Sequence, residues 1–319
     1  MGNRIFVPDY FCKFSCIADK CRDNCCIGWG VYPDEATLDK YYGELASDKR
    51  LSDTLTEDED GEVCFGRDAC GRCLNLTGEG LCRIYSDHGH EALCEICREH
   101  PRYYNIYGEY CEGGLSICCE EAARIILGGE GLPDNAEILD EFISGEDCDE
   151  NALAVAIESR KELFSLLFGK GCISDTLSAI LGAGEHSKIM ELLSTAAKTL
   201  DRLDMLSEEL SEKIRRGLRL ATDNSEAFIG YLDTSHPSST RRLAYYYLHR
   251  YYLDSSLGLD SKEAYASLVV TLTLITEATA YGLSIQGGED YFTLAKDISK
   301  SVEYCEENIE IILASLYDE

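Results

Sequence analysis

Fourteen of the 17 cysteines lie between Cys12 and Cys119. Five of them, Cys12, Cys16, Cys21, Cys25 and Cys26, crowd into one stretch that runs on into Gly28-Trp29-Gly30. Thiols this dense are poor helix or strand material. They make sense where they converge on a metal or on disulfide partners. Cys70-Gly-Arg-Cys73 and Cys94-Glu-Ile-Cys97 have the close spacing of a ligand pair, which a second pair from elsewhere in the chain completes. Cys82 and the adjacent Cys118-Cys119 add further donors. Thiolate is soft and selects zinc or iron–sulfur clusters over hard cations. Spacing alone leaves zinc and iron both open, and the radical-type arrangement Cys-x-x-x-Cys-x-x-Cys is absent. A purely architectural metal, replacing a weak core in a loop-rich region, satisfies the same spacing. His88, His90 and His100 lie among the cysteines as possible additional ligands.

Tyrosine is the second residue type with chemistry to offer. Tyr103, Tyr104, Tyr107 and Tyr110 sit beside the cysteines, and Tyr245, Tyr246, Tyr247, Tyr251 and Tyr252 share one helical stretch. Their rings can hold a sulfonium or ammonium by cation–π contact, or simply pack a core. The second group covers most of a helix circumference, so some of it is expected to be exposed or to line a cavity. No Gly-x-Gly-x-x-Gly loop follows a strand, so a Rossmann-type cofactor site has no support.

The elements that must position these residues differ along the chain. The cysteine-rich part reads as irregular, with a helix from Pro33 to Leu45, an acidic surface loop from Thr56 to Gly61 and a short helix from Glu91 to Glu99. Tyr103–Tyr107 and Tyr110–Ser116 flank Gly108 as a hairpin, and a helix follows from Cys119 to Leu127. The Gly/Pro break at Gly128–Pro133 suggests a domain boundary, giving a cysteine-rich metal-binding domain over 1–128 and an α-helical domain over 134–319. In the second, apolar residues recur at helical spacing over 151–168, 188–203, 207–220, 239–253 and 261–281. The stretch 268–275 is apolar on all sides and reads as a central buried helix, with a strand as the alternative. Leu294, Ile298, Val302, Cys305, Ile309 and Ile312 share the face of one last helix, with Cys305 in the core. The fold class expected is mainly α, with a helical bundle following the irregular cysteine-rich region.

Composition narrows the setting. The chain of 319 residues has a formal net charge of −30. That disfavours nucleic acid and anionic membrane surfaces and suits a cationic partner such as a lysine-presenting protein. No eighteen-residue apolar run and no signal-peptide core stand out, so no membrane span is expected and the cytoplasm is the default location. There disulfides are rare, and an odd cysteine count leaves one thiol outside any all-disulfide scheme.

Phe14-Ser15-Cys16, Cys21, Cys25-Cys26, Trp29 and Val31 resemble the opening motif of a known family. Cys73-Leu74, Leu81-Cys82-Arg83-Ile84, Cys97-Arg98 with Pro101-Arg102-Tyr103-Tyr104, Leu115-Ser116, Cys119 and Glu121-Ala122-Ala123-Arg124 follow in its order. Together they resemble the flagellin lysine-N-methylase family of bacteria over residues 8 to 127. The cysteine module is also similar to a broader group of zinc- or iron-chelating cysteine-rich proteins. The resemblance implies a protein-lysine N-methyltransferase that uses S-adenosylmethionine to modify flagellin, and an iron–sulfur cluster of the [4Fe–4S] type. Carried over by position, the metal-binding cysteines are Cys16, Cys21, Cys25, Cys26, Cys73, Cys82, Cys97 and Cys119. Leu74 and Glu120 stand where the family often has proline, and neither replacement is expected to touch a ligand. Cys12, Cys64, Cys70, Cys94, Cys111 and Cys118 read as additional. The alternative is a non-enzymatic protein-interaction module stapled by zinc or iron. Methyl transfer further requires a neutral lysine, whose ordinary pKa is about 10.4, so the site must desolvate it or supply a base.

Overall fold

A computed structural model describes residues 3–140, 142, 145, 148–258 and 260–317. Along the chain run β1 (Asn3–Pro8), α1 (Glu35–Tyr42), α2 (Lys49–Ser52), β2 (Leu55–Glu57), β3 (Val63–Phe65), α3 (Arg83–His88), α4 (Glu95–Glu99), β4 (Arg102–Tyr107), β5 (Tyr110–Leu115), α5 (Glu120–Leu127) and β6 (Asn135–Asp140). Beyond β6 the regular elements among the described residues are helices. They are α6 (Glu150–Leu167), α7 (Ile173–Ile180), α8 (Ser187–Thr199), α9 (Glu208–Asp223), α10 (Ser225–Thr234), α11 (Pro237–Tyr251), α12 (Lys262–Leu283), α13 (Gly288–Val302) and α14 (Glu306–Ser315). The chain is therefore mainly α, as its periodicity predicts.

Two compact units form. One comprises Ser15–Tyr103 with Cys119–Glu121, and the other Met1–Phe14, Tyr104–Cys118 and Ala122–Glu319. The glycine-rich break at 128–133 thus lies inside the second unit. The reason is β-pairing. The four-stranded sheet has the order β4-β5-β1-β6. β1 runs parallel to β5, Ile5 facing Cys111, and antiparallel to β6 over six residue pairs from Asn3↔Asp140 to Pro8↔Asn135. Strands on either side of the break are therefore bound to one another.

In the helical unit α12 is the axis. Its Ser261 hydroxyl accepts from the Ala264 amide as an N-cap, and Leu268–Ile275 is buried on every side as a helix. By length and composition this helix is apolar enough to cross a membrane, with a mean hydropathy of 1.4, but 78% of that stretch is buried inside the protein. Its neighbour α9 approaches closely because Gly217 meets Gly282: a Cβ on Gly217 would stand 2.5 Å from the Ala278 carbonyl oxygen. The single last helix expected from the sequence is two. Buried Asn308 donates to the carbonyls of Val302 and Asp204, which satisfies the end of α13 and starts a new direction. Cys305 falls at this break, half-buried rather than in the core.

The cysteine-rich unit has a small core of Val31, Tyr41, Leu51, Phe65, Ile84, Ala92 and Cys94. The β2–β3 hairpin closes one side, its acidic turn organised by Asp58, which accepts from the amides of Asp60 and Glu62.

Candidate functional site

Trp29, Cys73, Cys82 and Cys97 pack against that small core around buried Cys94. Short loops deliver these thiols. Asp68 accepts from the amides of Cys70 and Arg72, forming a tight turn that delivers Cys73, and Gly71 takes the left-handed conformation that this turn requires. The Cys73 amide donates to the Cys26 carbonyl at 2.8 Å, tying the opening thiol loop to the middle one. Cys82 directly precedes α3, and Cys94 directly precedes α4. The Asp34 carboxylate caps α1 through the Thr37 amide at 2.9 Å and also accepts from the Glu95 amide at 2.9 Å, so one side chain places Cys94 and Cys97. Although burial opposes it, these bonds hold the Asp34 carboxyl below the ordinary range.

The thiols respond to one another electrostatically. A hydrogen bond between the Cys94 and Cys97 side chains lowers the first and raises the second, whose burial pushes the same way. Burial raises Cys73 and Cys82, with Cys94 adding repulsion to both and Cys82 adding repulsion to Cys73. Cys25 acts on Cys82, and Cys26 acts on Cys97. Six thiols from four segments therefore share one neighbourhood, and the Tyr41 hydroxyl, bonded to the Ala92 carbonyl at 2.7 Å, is raised by its burial among three of them. Among the described residues no disulfide forms. Among them also, no three His, Cys, Asp or Glu side chains stand close enough together to hold a metal ion. The donors fit zinc or an iron–sulfur cluster in kind, being soft, gathered and reduced, but they do not converge on one point.

All eight cysteines carried over from the resemblance lie in this unit. Cys25, Cys26, Cys73, Cys82 and Cys97 join the shared neighbourhood. Cys16 is exposed, its sulfur accepting from the Ala18 amide. Cys21 instead faces Asp23 and Glu120, and Cys119 directly precedes α5. Cys94, which the resemblance leaves out, is the most buried thiol of the unit at 1% exposure. Its Cys-x-x-Cys spacing was the signal that could have placed it. Glu120 does touch a proposed ligand, since the Cys21 sulfur lies 3.6 Å from its carboxylate. The histidines have other work: His88 bonds Asp48 at 2.9 Å, His90 meets Glu91, and His100 packs edge-on against Trp29.

Several tyrosines of the helical unit bond buried or half-buried acids rather than lining an open cage. Tyr107 donates to Asp254 at 2.7 Å and Tyr110 to Glu112 at 3.2 Å. Glu112 holds Arg160 through two 2.6 Å bonds. Tyr246 and Tyr251 both donate to Glu303, which also pairs with Arg250. Tyr291 and His236 meet the fully buried Glu277. Tyr245, Tyr246 and Tyr247 are at most 1% exposed, because α11 is enclosed on all sides by the protein. The spacing argument for exposed rings on that helix fails for this reason.

No family model matches the chain. No solved structure matches it either. Curated proteins do. The lysine-N-methylases of Salmonella typhimurium and Salmonella choleraesuis are 32% identical over 130 residues, covering 38% of this chain and 31% of their own length. The chain thus matches less than a third of those proteins. The flagellar biosynthetic protein FliU of Salmonella muenchen is 32% identical over 130 residues, with 75% of it covered. At this identity and coverage the chain belongs to the family of the lysine-N-methylases and FliU.

Proposed function

We propose that the protein is a lysine N-methyltransferase of the reducing cytoplasm that modifies flagellin, with S-adenosylmethionine as methyl donor. The single observation that carries this reading is the 32% identity to the lysine-N-methylases and FliU. The gathered thiols support an iron–sulfur cluster, being too soft a donor set for a hard cation. Its ligands would be drawn from Cys25, Cys26, Cys73, Cys82, Cys94 and Cys97, which share one neighbourhood, whereas Cys16, Cys21 and Cys119 of the eight lie outside it. When bound, such a cluster supplies a Lewis-acidic or redox-active iron. The chain's own part is to place these thiols, through Asp34, the Asp68 turn and the Cys26–Cys73 backbone bond. The charge of −30 favours encounter with a lysine-bearing surface and disfavours nucleic acid and anionic membranes.

A second reading has its own observation. One of these thiols, Cys94, is part of the small core and Cys73, Cys82 and Cys97 pack against it, where an architectural metal also belongs. It describes an interaction module stapled by zinc. Anaerobic purification with metal analysis and an absorption spectrum separates the two. The methylase reading predicts brown protein containing iron and sulfide. Colourless protein containing zinc would favour the module.

A further inference from the structure

Glu120, the first residue of α5, gathers donors from three consecutive residues almost a hundred positions earlier in the chain. Its Oε2 accepts from the Arg22 amide at 2.7 Å and the Asp23 amide at 3.3 Å, and lies 3.6 Å from the Cys21 sulfur. Its Oε1 accepts from the Arg22 guanidinium at 2.6 Å. The Cys21 thiol also donates to the Asp23 carbonyl at 3.1 Å, folding the loop on itself. The next residue continues the tether: Asn24 donates to the Gly80 carbonyl and accepts from the Cys26 amide. The guanidinium is 63% exposed, so the ion pair by itself contributes little. The two amide bonds differ in kind. They fix the backbone of residues 22 and 23, and with it the path of the chain into Cys25 and Cys26.

We propose that Glu120 is a positioning residue for the opening thiol loop, holding Cys21–Cys26 against the start of α5 so that Cys25 and Cys26 meet the thiols of the small core. This rests on the proposed metal-binding role of those thiols. Both carboxylate oxygens are occupied by loop donors, so Glu120 acts through the loop and is not itself a ligand. Groups that orient ligands in this way typically change metal affinity by about 10- to 100-fold when removed.

The test uses the full chain, purified anaerobically and loaded with ferrous iron and sulfide. Iron per chain and the visible absorption are read during a chelator challenge, and metal-free melting is measured alongside. Glu120→Ala is expected to lose iron about tenfold faster than the parent while its metal-free form melts with the metal-free parent. Glu120→Gln keeps an acceptor for the amides and is expected to recover most of the retention. Arg22→Ala removes the ion pair while leaving the Arg22 and Asp23 amide bonds to Glu120 in place, and is expected to change little. Equal iron retention and an equal spectrum in Glu120→Ala would overturn the inference. Should that variant fail to fold, Glu120→Gln and Arg22→Ala decide: iron lost about tenfold faster than the parent from Arg22→Ala, with Glu120→Gln keeping its iron no better, would overturn it. A parent that takes up no iron would instead overturn the metal reading beneath it.

Discussion

Cys94 shows how far single residues could be read. The motif resemblance passes over it, yet it is the thiol buried at the centre of the small core, with Cys73, Cys82 and Cys97 around it. Motif order identifies which cysteines relatives share, whereas burial depends on contacts between segments that lie far apart in sequence. The buried acids of the helical unit were not legible at all. Glu112 and Asp254 look like any surface acid until Arg160 and Tyr107 are placed beside them. Asp254 gives a prediction. Burial pushes its carboxyl up to about 6, above the ordinary value near 3.9. An acid raised on folding binds more protons in the folded state, so stability falls as pH rises from about 4 to 6 and the cost persists above that. Asp254→Asn, which can still accept from Tyr107, is expected to be more stable than the parent by about 2 kcal/mol near pH 8 and by almost nothing near pH 4. Urea unfolding of both proteins at the two values checks it. His249, pushed down to about 4 by its burial, works with the opposite sign and destabilises both proteins equally as pH falls below about 6.5.

At the scale of elements, the long helices were legible from their apolar residues, recurring at helical spacing in α6 and forming a long apolar run in α12. The expected 151–168 and 261–281 lie within two residues of α6 and α12 at every boundary. β1 and β6 escaped notice. They are short, their outer residues are polar, and their pairing spans more than a hundred residues. The division of the last helix depends on Asn308 reaching back to Val302, which periodicity does not encode. The α9–α12 contact was equally invisible, since a glycine in a helix carries no packing signal. It predicts that Gly217→Ala, whose new methyl would meet the Ala278 carbonyl at 2.5 Å, is destabilised by about 1–3 kcal/mol. An unchanged unfolding midpoint would contradict the close approach.

At the scale of the whole molecule, a compact unit of reduced thiols and a helical unit centred on α12 share one chain. The density of cysteines in one unit is accounted for if the thiols serve a metal. Their gathering around Cys94 supports that role, and the kinship with lysine-N-methylases supplies the chemistry to look for. The central claim is methyl transfer to flagellin, and one measurement addresses it directly. The anaerobically purified, iron-loaded chain is incubated with S-adenosylmethionine and flagellin, and flagellin peptides are read by mass spectrometry. The account predicts methyl groups on flagellin lysines that depend on both the protein and the donor. Flagellin left unmodified by the iron-loaded protein would contradict it.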